Sequence, residues 1–169
     1  GKKLKGLNIV ASFNTAAAKR ILIAANWDAR SIADKDSVRK NEPIDAANDG
    51  ASGVGVMIEL ARVLSKTKDK PAVGVDFVFF DLEDHGEPHD MESGNPLSWA
   101  LGSQYWSAHL MPENYHPYYG ILLDMVGAKG AIFPHEGSSM QYAPSLVRSI
   151  WATAAELGYG SQFIDADAF

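Results

Sequence analysis

Long apolar runs alternate with amphipathic segments along this chain of 169 residues. Residues 7–13 and 20–27 are nearly continuous apolar runs, a pattern typical of strands that are covered on both faces. A run over residues 73–80 has the same character and leads directly into a group of acidic residues. The predicted strands cover residues 7–13, 20–27, 73–80, 118–127, 131–135 and 161–166, of which 131–135 is weaker.

Apolar residues recur at helical spacing in three other segments. Residues 51–66 form the clearest of these, and Ser52 is a candidate N-cap for that helix. Residues 98–110 are amphipathic, and residues 144–158 open on a proline and close on a glycine. Strands that alternate with helices predict an α/β sandwich with a mostly parallel sheet.

The composition is that of an ordinary globular domain. Hydrophobic residues make up 46% of the chain and charged residues 21%, which argues against disorder. The net charge of −6 disfavours nucleic acid as a partner, and no apolar run approaches the roughly 20 residues that a membrane helix needs. Because the chain lacks cysteine, any metal site must use histidine or carboxylate ligands.

Acidic residues follow the carboxyl ends of several predicted strands. Asp28 follows the second strand, residues 81–84 follow the third and contain three acids, and Asp124 lies near the end of the fourth. Asp49 directly precedes a helix. Ligands of α/β sheets bind outside the carboxyl ends of the strands, so these carboxylates are expected to converge there. A divalent cation would relieve their repulsion.

Each acid also has a structural interpretation. The acids in 81–84 could be solvated loop charges, and Asp49 could form an Asx turn or cap before its helix. Asp124 is harder to explain in this way, because a buried aspartate in an apolar strand must be paired or bound to a metal. Glu83 and Asp84 are adjacent, so that one could bind a metal while the other moves protons.

Four segments together resemble a known family. The segments IDAANDGASGVGVMIELAR, FVFFDLEDHG, SWALGSQYW and YYGILLDMVGA occur in the order and spacing of the zinc-dependent exopeptidase clan. Within it they are most similar to glutaminyl-peptide cyclotransferases (glutaminyl cyclases) of the animal type and their bacterial counterparts, over residues 7–165. The resemblance implies a three-layer α/β/α sandwich with a mostly parallel mixed central sheet. It also implies that residues 1–169 form a single catalytic domain that lacks its C-terminal portion.

The resemblance implies a role for five residues. Asp49 and Asp84 correspond to ligands of one zinc ion, and Glu83 corresponds to the general acid and base. Asp124 corresponds to an aspartate that supports proton transfer in cyclases, or that binds a second zinc ion in aminopeptidases. Trp99 corresponds to an aromatic wall of the substrate pocket, although an aromatic residue in an apolar helix is more often part of the core.

The chain departs from the family pattern in its imidazoles. Aminopeptidases of the clan carry His-x-Asp where this chain has Asn26, Trp27 and Asp28, which favours a single-zinc cyclase. The last zinc histidine and a second pocket aspartate of the family are expected beyond Phe169. Zinc needs about three protein ligands, so its binding to this fragment is expected to be weak or absent. His85 and His89 lie close to Asp84 in the sequence and could give an adventitious ligand, although they are more simply solvated loop residues. The other three histidines have no ligand spacing: His109, His116 and His135.

The implied activity is that of the intact enzyme. A glutaminyl cyclase converts the N-terminal glutamine of a peptide to pyroglutamate and releases ammonia. Two alternatives stay open, a zinc aminopeptidase and a catalytically incomplete domain that only binds peptides, and the fragment itself is expected to be inactive. The resemblance alone implies a periplasmic or secreted protein, and the oligomeric state stays open.

Overall fold

A computed structural model describes residues 3–86 and 95–168. Their contacts divide the chain into two compact units, one ending at Gly127 and the other beginning at Ala128. Each unit is described by itself below, and the single domain expected over residues 1–169 stays a prediction. In the part of the chain that the structure describes, no helix is long and apolar enough to cross a membrane.

The first unit is built on a four-stranded mixed sheet in the order β1-β3-β2-β4. Strand β2 pairs in parallel with β3 and β4, whereas β1 pairs antiparallel with β3. The mostly parallel mixed sheet is thereby confirmed. The elements of this unit are β1 (Ile9–Phe13), β2 (Arg20–Asn26), α1 (Ala51–Lys66), β3 (Gly74–Phe80), a 3₁₀ helix (Pro96–Ser98), α2 (Leu101–Ala108) and β4 (Gly120–Leu122).

Helices cover both faces of this sheet. Ala25 packs with Met57 of α1 on one face, and both side chains are fully buried. Ala24 and Val78 lie on the opposite face, against Trp106 of α2. Successive residues of β2 thus pack on opposite faces of the sheet, because side chains alternate along a strand. The three-layer α/β/α arrangement is confirmed within this unit.

Several predicted boundaries were wrong. Strand β1 is not covered on both faces: it lies at the edge of the sheet, where Ile9 and Val10 are 43% and 52% exposed. Strand β4 ends at Leu122 and does not extend to residue 127, and the φ of 46° at Met125 is incompatible with a strand through that stretch. Ser52 is not the N-cap of α1; Gly50 holds that position without a side-chain cap.

The second unit contains a separate two-stranded parallel sheet. The indole nitrogen of Trp151 donates to the carbonyl oxygen of Phe133 at 2.8 Å, and the Trp151 ring packs edge-on against Phe163. One helix was not predicted; it begins after Glu136, whose carboxylate accepts two backbone amides. The elements are β5 (Phe133–His135), α3 (Gly137–Tyr142), α4 (Pro144–Glu156) and β6 (Phe163–Asp167).

A buried ion pair joins the strands of the first unit. Asp76, only 5% exposed in the middle of β3, accepts two hydrogen bonds from Arg20, both 2.7 Å long. Ser12 and the hydroxyl of Tyr115 donate to it as well, at 2.6 and 2.8 Å. Burial acts to raise the pKa of Asp76, but these donors outweigh it and hold the pKa below its ordinary value. The charged carboxylate of Asp76 therefore has a structural role, in which it joins the strands of this unit.

We expect Asp76→Asn to destabilise the first unit by about 3 kcal/mol, because Arg20 would be left buried without a counter-charge. The folded-state pKa of Asp76 is depressed, so its contribution is present above the unfolded pKa and is lost as the pH falls through the folded value. Urea unfolding from pH 7 to pH 3 measures both effects. Exposed Asp69 provides the control: Asp69→Asn should change neither the midpoint nor its pH dependence, and an equal effect of both variants would contradict the assignment.

Candidate metal centre

The amino end of helix α2 shapes the acidic turn that follows β3. The backbone amides of residues 100–102 donate to the carbonyl oxygens of Glu83, Leu82 and Asp81, respectively, at 2.9 to 3.0 Å. Gly102 permits this approach, since a Cβ atom there would lie 2.1 Å from the carbonyl oxygen of Asp81. The backbone that carries Glu83 is therefore fixed by the helix packed beside it.

Asp81 serves this turn and is not part of the acidic cluster. Its carboxylate accepts the amide of Leu7 at 2.7 Å and that of Leu82 at 2.9 Å. The Asn8 side chain accepts the Asp81 amide at 3.0 Å and donates to the carbonyl oxygen of Gly102 at 2.8 Å. Asp81 thus has a structural role. Its position in the sequence alone did not distinguish it from the other two acids of residues 81–84.

Asp49 is held by Asn26 at the end of β2. The buried Asn26 amide donates to Asp49 Oδ1 at 2.8 Å. Gly50 packs on the same residue, and a Cβ atom there would lie 2.3 Å from the carbonyl oxygen of Asn26. This contact aligns the loop before α1 with the carboxyl end of the central strand.

The loop after β4 docks on the start of α1 and carries Asp124 with it. Ser52 Oγ accepts the amide of Val126 at 3.1 Å, and Asn48 Oδ1 accepts the amide of Gly127 at 2.9 Å. Burial and the nearby charge of Asp49 raise the pKa of Asp124. Ser52, expected to cap the helix, therefore joins two loops of the site.

The structure brings three of the predicted site residues together. Asp49, Glu83 and Asp84 each have a carboxylate oxygen within 4.8 Å of the others. Burial, followed by the charges of Asp84 and Asp49, raises the pKa of Glu83 to about 7. Burial and the charge of Asp49 also raise the pKa of Asp84. Such crowding of like charges favours a bound cation or a held proton.

Asp28 supports the cluster from the loop after β2. Its Oδ2 accepts the backbone amide of Asp84 at 3.0 Å. Its Oδ1 is buried and has no hydrogen-bond partner among residues 3–86 and 95–168. Its charge adds to those that raise the pKa of Asp84.

Comparisons with known proteins identify the family of this chain. The sequence profile of peptidase family M28 matches residues 8–167. The chain belongs to peptidase family M28. The resemblance seen in the sequence motifs is thereby confirmed. A comparison with curated proteins gave no match.

Three solved structures illustrate the similarity of this M28 chain to proteins of known structure. A glutaminyl cyclase from Tannerella forsythia is 46% identical over 99% of this chain and 58% of its own, with a TM-score of 0.92. A Zn-dependent exopeptidase from Parabacteroides distasonis is 42% identical over 99% of this chain and 57% of its own, also at 0.92. A leucine aminopeptidase precursor from Bacteroides thetaiotaomicron is 41% identical over 95% of this chain and 56% of its own, at 0.89. The chain thus spans less than three fifths of the length of each.

The carboxylates fit a zinc ion as part of a ligand set. Asp49 and Asp84 offer oxygen ligands, and Glu83 lies within reach of the same ion, but zinc prefers at least one nitrogen or sulfur ligand. In the described part of this M28 chain no histidine joins the group. The roles of Asp49, Asp84, Glu83 and Asp124 stay predictions.

The histidines lie elsewhere. His85 is exposed beside the acidic turn, and His89 lies outside the described residues. His109 stacks on Tyr105 with ring centres 4.1 Å apart. In the second unit, His135 hydrogen bonds with Asp167 at 3.0 Å. His116 is exposed.

Trp99 lies outside helix α2, contrary to expectation. Its backbone is extended and Ala100 is left-handed, so the helix begins only at Leu101. The indole packs on Gly86, where a Cβ atom would lie 2.0 Å from the ring. The guanidinium of Arg30 lies 4.6 Å from the ring centre. Trp99 is partly exposed rather than part of the core, and its role as a substrate wall stays a prediction.

Sequence reasoning missed Arg30 and the hydrogen bond from Asn26 to Asp49. Asn26 was considered only because aminopeptidases of the clan are expected to carry a histidine there. Arg30 lies two residues after Asp28 and belongs to no recognisable motif. The available signal was the position of Asn26, a polar residue at the end of an otherwise apolar strand.

In the metal-free protein we expect Glu83→Gln to increase stability at alkaline pH. The pKa of Glu83 is raised from 4.5 to about 7 in the folded state, so its ionisation destabilises the fold progressively between these values and by a constant amount above them. We expect a gain of about 2 kcal/mol at pH 8, allowing for partial exposure of the group, and little gain at pH 4. Urea unfolding in the presence of a chelator measures this difference.

The matched control is Glu113→Gln, since Glu113 is exposed. It should leave the stability unchanged at both pH values. A Glu83→Gln protein that is less stable than the wild type at pH 8 would show that the carboxylate is stabilised by its surroundings, contrary to this account.

Proposed function

We propose that this protein acts as a zinc-dependent glutaminyl cyclase on peptides with an N-terminal glutamine. The observation that carries the proposal is the hydrogen bond from Asn26 to Asp49 at 2.8 Å, beside a cluster of three carboxylates. An amide nitrogen that donates to Asp49 has no lone pair for a metal, whereas an imidazole at this position could bind a second ion. The arrangement favours one metal ion over two.

The carboxylates divide into two groups in this proposal. Asp49 and Asp84 would hold the zinc ion, which when bound acts as a Lewis acid toward the side-chain amide of the substrate glutamine. Glu83 stays free to hold and move a proton. Asp124 adds a negative charge that helps to raise the pKa of Glu83, and so favours the protonated form that must later deliver the proton.

The reaction is an intramolecular displacement. The α-amino nitrogen of the glutamine attacks its own side-chain amide carbon, and Glu83 accepts the proton that the nitrogen loses. The carbon–nitrogen bond to the leaving group then breaks, and Glu83 returns the proton so that ammonia departs. Both reacting groups belong to one residue, so the site needs only to select the folded conformer. The product is an N-terminal pyroglutamate.

The similarity to solved proteins supports a cyclase or a peptidase of the same family. The similar structures include a glutaminyl cyclase and a leucine aminopeptidase precursor, so an aminopeptidase is the second candidate. The same acids could hold two ions that activate water, but Asn26 disfavours this. The third alternative is a domain that only binds peptides. We further propose that the protein is periplasmic or secreted, which rests on the likeness alone.

A paired assay distinguishes these activities. The full-length product of the gene would be given zinc and offered glutaminyl and leucyl peptides. We expect ammonia and a pyroglutamyl product from the first and no free leucine from the second. Glu83→Gln should lower kcat by about 10² to 10⁴-fold, the contribution of general acid–base catalysis.

The control is Glu113→Gln, which should retain full turnover. Release of free leucine at a comparable rate would favour the aminopeptidase. Zinc binding and peptide binding without either product would favour the non-catalytic domain.

We expect the 169 residues alone to bind zinc weakly, because their described cluster supplies only carboxylate oxygens. Competition with a chromophoric chelator measures the dissociation constant. Asp84→Asn should weaken binding at least tenfold, whereas Asp69→Asn, at an exposed position, should not. Tight, stoichiometric zinc in the purified 169-residue chain would contradict the view that its ligand set is incomplete.

A further inference from the structure

Arg30 is a nearly buried cation beside the acidic cluster that does not pair with it. Its side chain is 11% exposed. It forms a two-point ion pair with Asp34, in which Nε and Nη2 donate to the two carboxylate oxygens at 2.8 Å each. That pair alone would be an ordinary structural contact between residues four positions apart in one loop.

The third nitrogen of the guanidinium makes a different set of contacts. Nη1 donates to the carbonyl oxygen of Asp84 at 2.8 Å and to that of Gly86 at 3.0 Å. The guanidinium carbon Cζ lies over the Trp99 ring, 4.6 Å from its centre. One side chain therefore contacts the backbone of a predicted metal ligand and the predicted wall of the substrate pocket.

The backbone of Asp84 is held on both sides by the loop after β2. Its amide donates to Asp28 at 3.0 Å, and its carbonyl oxygen accepts Arg30. Gly86 packs against the Trp99 ring, so these hydrogen bonds also set the distance between the acidic turn and the indole.

Only arginine suits this position. The guanidinium has five N–H donors in a rigid plane, whereas lysine has a compact ammonium that cannot bind Asp34, reach two carbonyl oxygens and stack on an indole together. A purely electrostatic role toward the carboxylates would be satisfied by either residue, since both are cations.

We propose that Arg30 is a positioning residue that holds Asp84 and Trp99 in one fixed arrangement, so that metal affinity and peptide affinity both depend on it. The part that concerns peptide rests on the proposed function. The part that concerns the metal does not, because it requires only that Asp84 binds the ion.

The first test uses the 169-residue chain and needs no activity. Hydrogen exchange measured by mass spectrometry in metal-free protein should accelerate at least tenfold over residues 83–86 and 99–101 in Arg30→Lys and Arg30→Met. Strand β3 should exchange at the wild-type rate. Arg62→Met is the control, because Arg62 forms an exposed ion pair with Glu59 on α1.

Zinc competition on the same proteins provides a second readout. Changes to residues that orient metal ligands cost about 10 to 100-fold in affinity, and we expect this loss in both Arg30 variants but not in Arg62→Met. If Arg30→Lys retains wild-type affinity, charge alone suffices and the positioning role is wrong. If zinc binding to the wild-type chain is too weak to measure, the exchange result decides: unchanged exchange over residues 83–86 overturns the proposal.

The active protein tests the link to Trp99. Arg30→Lys and Trp99→Leu should each raise KM for a glutaminyl peptide, and the double variant should be no worse than the more affected single variant. Fully multiplicative effects would show that the two residues act independently. Absence of cyclase activity in the wild type would refute the proposed function but would leave the exchange and zinc results to judge Arg30.

Discussion

The structure depends on holding carboxylates close together against their mutual repulsion. Asp49, Glu83 and Asp84 meet at the carboxyl end of a parallel strand pair, where burial makes the charges of Glu83 and Asp84 costly. Hydrogen bonds to the backbone and to Asn26 hold them there. Because the protein supplies this order in advance, a cation that binds the cluster need not organise it.

A second buried aspartate in the same sheet shows the opposite arrangement. Asp76 accepts four hydrogen bonds and faces Arg20, so its pKa falls below the ordinary value despite burial. Burial raises the pKa values of Glu83 and Asp84, and the charges of neighbouring carboxylates raise them further. Burial alone therefore does not distinguish a functional acid from a structural one; the sign of its partners does.

Much of the fold could be predicted from local patterns, because continuous apolar runs and helical spacing reflect burial directly. The strands β2 and β3 and the helices α1 and α4 were predicted close to their observed bounds. The edge position of β1 was not, since an apolar run does not reveal how many neighbours a strand will have. Local patterns also did not reveal the left-handed conformation of Met125, beyond the end of β4, or the backbone amides at the start of α2 that bind the acidic turn.

By itself the sequence determined which acids follow which strand ends and that an asparagine occupies position 26. These features are local, and the convergence of strand ends follows from the parallel sheet they predict. Only the tertiary structure decided that Asp81 turns away from the cluster, that Asn26 binds Asp49, and that Arg30 joins Asp84 to Trp99. Most of these contacts join residues more than 20 positions apart, and a side chain's partner across such a distance is set by how the layers pack.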